Sequence, residues 1–394
     1  MIKRLLEDRL IDLISYFPAI VLVGPRQVGK TTLVKKLLAE LPKVSVYLDL
    51  EIPSQLARLE LDREIYLTTR QEQTVVLDEV QQLPDLFPLL RGLIDQHRVA
   101  GRFILLGSAS PDLLRNTSES LAGRVVYLEM HPLLWEELPQ PANYRVHWLR
   151  GGYPDAYLAP SAKRLREWFE SFVGTYLQRD LPRLGLPASP DLVRRLLTML
   201  ANQQGGLVNY STIANGLDIA VSTVQRYIDF LEQAFLVRRL QPYFINVGKR
   251  LTKSPKVYVR DSGMVHHLLR LYDDDALMGH PVVGGSWEGY IIQQIIAVLS
   301  PDTTPYFYRT QQGSELDLVL EQGGQIKLAV EIKLSNNPTL SKGNTVALQD
   351  LNSPPFLVVT PGANDDLLRP NVWLCSLATL PTHLRKAGVY LEDA

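Results

Sequence analysis

Residues 19 to 41 constrain this chain more than any other stretch. Ala19-Ile20-Val21-Leu22-Val23 is a short, wholly apolar run rich in β-branched side chains, the pattern of a strand buried on both faces of a parallel sheet. It runs directly into Gly24-Pro25-Arg26-Gln27-Val28-Gly29-Lys30-Thr31, which satisfies G-x-x-x-x-G-K-[ST]. Thr32 to Leu41 follows, with Leu33, Val34, Leu37, Leu38 and Leu41 at helical spacing. Strand, glycine loop and helix together make a phosphate cradle. Gly24 and Gly29 allow backbone conformations that let successive N–H groups converge on phosphate oxygens, and the helix start near Lys30 adds its positive end. Lys30 is expected to reach the β- and γ-phosphates, and the Thr31 hydroxyl to ligate Mg²⁺. Gly24, Pro25, Arg26, Gln27, Val28, Gly29, Lys30, Thr31 and Thr32 thus form the expected binding loop for ATP, with Mg²⁺ as its cation.

A second stretch supports the first. Thr74-Val75-Val76-Leu77-Asp78-Glu79 reads as a buried strand ending in two acids. Asp78 is placed to complete the Mg²⁺ shell, and Glu79 to act as the general base that polarises an attacking water. A third apolar strand, Arg102 to Leu106, ends in Gly107-Ser108, and Ser108 is a candidate for sensing the γ-phosphate. Asp49 ends a further strand, Val46-Tyr47-Leu48, without an assigned role.

The chain has 394 residues, more than one hydrophobic core usually serves, so two or three domains are expected. Its net charge of -1 excludes a globally basic protein, and any nucleic-acid contact must come from local patches. The single cysteine, Cys375, provides no intrachain disulfide and reads as a small buried hydrophobe. Met1 to Leu13 is amphipathic rather than signal-like, and the longest apolar runs fall far short of the ~20 residues of a spanning helix. A cytoplasmic protein with no membrane partner is the expectation.

Taken together, the Gly24–Thr32 loop, Leu77-Asp78-Glu79-Val80-Gln81, Gly107-Ser108 and Leu121-Ala122-Gly123-Arg124 resemble a prokaryotic group of AAA+ ATPases fused to a C-terminal domain of uncertain function. Gly151-Gly152-Tyr153-Pro154 and Tyr176-Leu177-Gln178-Arg179-Asp180 also resemble signatures of that group. The resemblance implies a phosphate-sensing or finger role for Arg124, in its own site or a neighbour's, and makes a homo-oligomer possible.

From His131 the pattern turns helical. Ala162 to Tyr176 carries Leu165, Trp168, Phe169, Phe172, Val173 and Tyr176 at helical spacing, and with Leu192 to Leu200 it is expected to form a lid or linker. Val208 to Ala214 and Ile219 to Leu231 read as two short helices around a turn, the second following a Ser or Thr cap. The strand Phe235 to Leu240 comes next, the order of a winged helix-turn-helix. Ser222, Thr223, Gln225 and Arg226 are candidate DNA contacts. The basic stretch Lys249 to Lys256, with Lys249, Arg250 and Lys253, would lie in the wing against phosphates. Such folds also serve as protein adaptors.

In the last third, Glu288 opens an apolar helix, Asp317 lies on a strand, and Val330-Glu331-Ile332-Lys333 is a strand with Glu331 and Lys333 on one face. Helix-Glu, strand-Asp, strand-Glu-x-Lys resembles the PD-(D/E)XK nuclease core, where carboxylates hold Mg²⁺ and lysine activates water. The expected architecture is therefore α/β. It comprises a P-loop AAA+ parallel-sheet domain (1–130), a helical lid (131–200), a winged helix-turn-helix (201–262) and a restriction-endonuclease-like α/β domain (263–394). The leading expectation is an ATP-driven machine acting on duplex or branched DNA. Its rivals are a nucleotide switch whose C-terminal region docks proteins and, less well supported, a DNA-binding transcription factor.

Overall fold

The computed structural model describes residues 2–41, 43–107, 121–186, 188–244, 251–335, 338–362 and 365–391. The first sheet contains β1 (Ala19–Val23), β2 (Ser45–Asp49), β3 (Thr74–Asp78), β4 (Phe103–Leu106) and β5 (Val125–Glu129). All neighbours are parallel and the order is β2-β3-β4-β1-β5. Every residue of β1, β3 and β4 is buried, as their continuous apolar runs require. Alternation divides their side chains between two cores. Ile20 and Leu22 pack with Leu33, Val34 and Leu37 of helix Lys30–Leu37, while Val21 and Val23 pack with Leu90, Leu93 and Ile94 of helix Leu86–Gln96. Because the strands are parallel, Val23, Asp78 and Leu106 all end on one edge of the sheet. That edge carries the nucleotide loop.

Helix Ala162–Thr175 begins at Ser161, whose hydroxyl accepts from the Arg164 N–H, and buries Leu165, Phe169, Phe172 and Val173. It runs into a π-helical turn over Tyr176–Asp180. After helix Pro190–Asn202 come Tyr210–Leu217 and Val221–Gln233, then the antiparallel strands β6 (Val237–Pro242) and β7 (Lys256–Val259). The second of these helices has Ala220 at its N-cap with no side-chain cap, so Ser222 and Thr223 lie inside its first turn, not ahead of it.

The second sheet adds β8 (Thr303–Arg309), β9 (Glu315–Gln322), β10 (Gln325–Ile332), β11 (Phe356–Thr360), β12 (Asp366–Arg369) and β13 (Val372–Ser376). Its order is β12-β13-β11-β10-β9-β8-β6-β7, so β6 joins this sheet through Gln241 and Pro242 beside Tyr306 and Phe307. Gly323 and Gly324, both at positive φ, close the two-residue β9–β10 hairpin, which L side chains resist. Cys375 is buried on β13.

One apolar core runs without a break from Leu10 to Tyr390 and ties the two sheets together. Gly151 and Gly152 form part of this joint. Asp261 caps helix Ser262–Leu268 through the Met264 N–H at 2.9 Å and also accepts from the Gly152 N–H at 2.8 Å. A Cβ on Gly151 would lie 2.3 Å from the Asp261 carboxylate. No helix among the described residues is long and apolar enough to cross a membrane.

Candidate functional site

The loop after β1 has three residues at positive φ, Gly24 at 145°, Gln27 at 61° and Gly29 at 99°, the kind of backbone from which anion-binding turns are built. Helix Lys30–Leu37 starts immediately behind it, and Thr32 lies in its first turn. Lys30 is 7% exposed, and its ammonium donates to the Gly24 and Pro25 carbonyls at 3.0 and 2.8 Å. Burial lowers its pKa to about 8, against the opposing charges of Glu79 and Asp78. Behind the loop, buried Arg4 donates to the Val28 carbonyl at 2.9 Å.

Asp78 and Thr31 lie side by side: the Thr31 hydroxyl donates to Asp78 Oδ2 at 2.6 Å. The same carboxylate oxygen accepts from the Tyr47 hydroxyl, and Oδ1 from the Glu79 N–H at 2.9 Å. Thr31 and Asp78 together offer hydroxyl and carboxylate oxygens beside the phosphate loop, a donor set that suits Mg²⁺. Glu79 adopts a left-handed backbone at φ 55° and accepts from the Gln81 amide. Burial raises its pKa, which moves a carboxylate towards the range of a general base near neutrality. Tyr47 escaped the sequence reading, although its place two residues before the end of β2, beside β3, was the available signal.

Ser108, Lys249 and Arg250 lie outside the described residues. Arg124 does not come to this edge. It precedes β5, whose Val125 pairs with Ala19 and whose Glu129 pairs with Val23, so Arg124 stands at the far end of the sheet from Gly24. Four strand steps separate those ends by roughly 13 Å. There it forms a two-pronged ion pair with Asp95, at 2.6 and 2.8 Å. In this arrangement its guanidinium faces Asp95 and not the β1 loop.

In helix Val221–Gln233, Ser222, Gln225 and Arg226 are exposed on one face and Thr223 is half-buried. Lys253 is exposed; Lys256 is not. Its wing position is corrected: β7 buries Lys256 to 2% exposure. Its ammonium lies 2.9 Å from Glu288, 2.7 Å from Glu315 and 3.5 Å from Asp317. Tyr258 donates to the same Glu288 at 2.6 Å, and Asp317 also accepts from the Ile332 N–H at 2.9 Å. Glu331, 4% exposed, pairs with Lys333 at 2.5 Å. Burial and the charge of Asp317 raise both Glu288 and Glu331 to about 7.

Of the four residues of the nuclease pattern, Glu288 and Asp317 close on Lys256 together with Glu315, while Glu331 and Lys333 pair with each other. Among the described residues no group of three or more His, Cys, Asp or Glu side chains is disposed to hold a metal ion. The Glu288, Glu315 and Asp317 cluster does not fit a divalent cation while Lys256 fills it.

Comparison with known proteins places these observations. A family described as AAA domain matches residues 16–139, and two domains of unknown function, DUF8612 and DUF4143, match 141–275 and 283–380. Mb2031c of Mycobacterium bovis and Rv2008c of Mycobacterium tuberculosis, both uncharacterized proteins, are each 41% identical over 345 residues, covering 88% of this chain and 77% of theirs. An uncharacterized protein of Haemophilus influenzae is 25% identical over 185 residues, covering 42% of this chain and 45% of its own. Among solved structures, the Walker-type ATPase PABY2304 of Pyrococcus abyssi aligns with a TM-score of 0.46 at 15% identity, over 68% of this chain and 96% of its own. With that identity and coverage in the two mycobacterial relatives, and an AAA match over the β1 loop and the β3 acids, this chain belongs to the family of Mb2031c and Rv2008c and carries a P-loop ATPase domain of the AAA class.

Proposed function

We propose that this chain is a Mg²⁺-dependent ATP hydrolase that couples turnover to DNA through helix Val221–Gln233. The observation that carries the hydrolase reading is the 2.6 Å contact of Thr31 with Asp78, with Glu79 next in the chain and Lys30 across the loop. Lys30 neutralises the terminal phosphates, and Thr31 and Asp78 are the residues that would hold the cation. Mg²⁺, when bound, offsets phosphate charge. Glu79 orients the attacking water and takes its proton. Lys30→Ala is expected to abolish phosphate release, and Glu79→Gln to reduce it at least a hundredfold while ATP still binds; turnover like wild type in either variant refutes the assignment.

The DNA reading is supported by the shared exposed face of Ser222, Gln225 and Arg226, and by Lys253, exposed just before β7. Binding should weaken roughly a hundredfold between 50 and 200 mM salt if about four phosphates are contacted, and Arg226→Ala should lower the salt slope by about one. Affinity indifferent to salt contradicts it. Arg124, paired with Asp95 away from its own phosphate loop, is proposed to act at the site of a second copy. The division into 1–130, 131–200, 201–262 and 263–394 is kept as part of this proposal, with β6 of the third part paired to β8 of the fourth.

A second reading, a nucleotide switch whose C-terminal region docks proteins, is favoured by one observation. Lys256 occupies the acid cluster that a nuclease would keep for metal. Wild type that cleaves no DNA in Mg²⁺ or Mn²⁺ fits this switch, whereas cleavage lost in both Asp317→Ala and Glu331→Ala restores the nuclease.

A further inference from the structure

Arg124 stands at the opposite end of the sheet, whereas Arg26, Arg179 and Arg183 line the cavity at the nucleotide edge, and Asp180 holds the first two. Arg26, in the phosphate loop itself, forms an ion pair with Asp180 Oδ1 and lies 3.6 Å from Glu51. Arg179 reaches the same Asp180 oxygen through Nε at 2.9 Å. Asp180 is 5% exposed and sits on the π-helical turn that ends helix Ala162–Thr175. Such turns are rare and gather at functional sites. Here the wider turn delivers a buried carboxylate to a loop far away in sequence. Arg26, Arg179, Asp180 and Glu79 line one cavity of about 660 Å³, roomy enough for a nucleotide's phosphates.

One carboxylate shared by two guanidiniums fixes both, and Glu51 at 3.6 Å gives Arg26 a second anchor. We propose that Asp180 is a positioning residue for ATP hydrolysis, holding Arg26 and Arg179 on the cavity wall so that they meet the charge developing on the γ-phosphoryl oxygens. This deepens the hydrolase reading and rests on it. In the step concerned, a water oxygen bonds to the γ-phosphorus and the bond from that phosphorus to the β,γ-bridging oxygen breaks. The electron pair leaves on ADP, and Glu79 takes the water's proton. Fixed guanidiniums lower the barrier because they need no reorganisation as the charge forms. They act in the transition state more than in the bound ground state, so the effect belongs in kcat.

The test is steady-state ATP hydrolysis by the full-length protein. Asp180→Asn should lower kcat about tenfold with KM changed less than about threefold, and Asp180→Glu should recover part of the loss. Arg179→Ala, at a half-exposed side chain that poses little risk to folding, should show the same split. The double variant Asp180→Asn/Arg179→Ala should be no slower than the worse single one, since both remove one unit. A merely structural Asp180 predicts a lower melting temperature with unchanged kcat per folded molecule, or losses that multiply in the double variant, and either result overturns the proposal. Should Asp180→Asn not fold, wild-type kcat in Arg179→Ala overturns it equally. Absence of ATP hydrolysis by wild type would remove the hydrolase reading and this proposal together. Normal wild-type hydrolysis with unaltered variants removes this proposal alone.

Discussion

Replacing Lys256 by Met tests the C-terminal cluster directly. The substitution keeps the length of the buried stem and removes the ammonium that faces Glu288, Glu315 and Asp317 at 2.9, 2.7 and 3.5 Å. At an effective dielectric of about 20, each of these contacts is worth roughly 5–6 kcal/mol before desolvation. Removing four ions from water consumes most of that, and loss of one partner of a buried cluster typically costs about 3–5 kcal/mol. The cost depends on pH with a definite sign. Burial and Asp317 hold Glu288 at about 7 even with the lysine present, well above an unfolded carboxyl group. Without the lysine the carboxylates retain protons still more strongly than in the unfolded chain, so the variant loses stability as pH rises through that window. Thermal unfolding followed at pH about 5.5 and 8 should show a deficit of several degrees that is larger at pH 8. Millimolar Mg²⁺ or Mn²⁺ should restore part of it in Lys256→Met and leave wild type unmoved. Equal deficits at the two pH values, or divalent stabilisation of wild type that Asp317→Ala abolishes, would refute the assignment of Lys256 as the resident cation.

Two further outcomes follow from buried groups. Lys30, lowered by burial to about 8 in the free protein, must be protonated to bind phosphate. The dissociation constant for ATP should therefore rise up to about tenfold per pH unit above 8, and Lys30→Arg should flatten that rise in a fluorescent-nucleotide titration. Gly151→Ala places a Cβ 2.3 Å from Asp261 at φ 78° and should cost roughly 2–4 kcal/mol in denaturant unfolding. Gly284→Ala, with nothing within 4 Å of its Cβ, should cost nothing measurable.

What the sequence disclosed was whatever is encoded locally. The β1 loop, the β3 acids and the Glu331-x-Lys333 face are each written within a few residues, and side-chain alternation fixes which way they point. Helix Val221–Gln233 was legible from its apolar spacing, but its start was misjudged because Ser222 and Thr223 resemble caps while the chain enters the helix at Ala220. Partners set by tertiary packing were not legible. Lys256 reads as part of a basic run, and only the pairing of β7 with β6, and of β6 with β8, brings it onto the acids. Arg124 reads as a finger until the register of β5 on β1 sends it to the opposite end. Asp180 lay inside a motif singled out by resemblance, yet its bond to Arg26 crosses from the π turn to the phosphate loop, and no local pattern encodes that.

The central claim is that Gly24–Thr32, Asp78 and Glu79 form a working hydrolysis site in this chain. Release of inorganic phosphate from ATP in Mg²⁺, measured side by side for wild type, Lys30→Ala and Glu79→Gln, tests it most directly. The account predicts turnover by wild type, none by Lys30→Ala, and ATP bound but uncleaved by Glu79→Gln. Phosphate release by Lys30→Ala at the wild-type rate, or a wild type that binds ATP and never cleaves it, would contradict it.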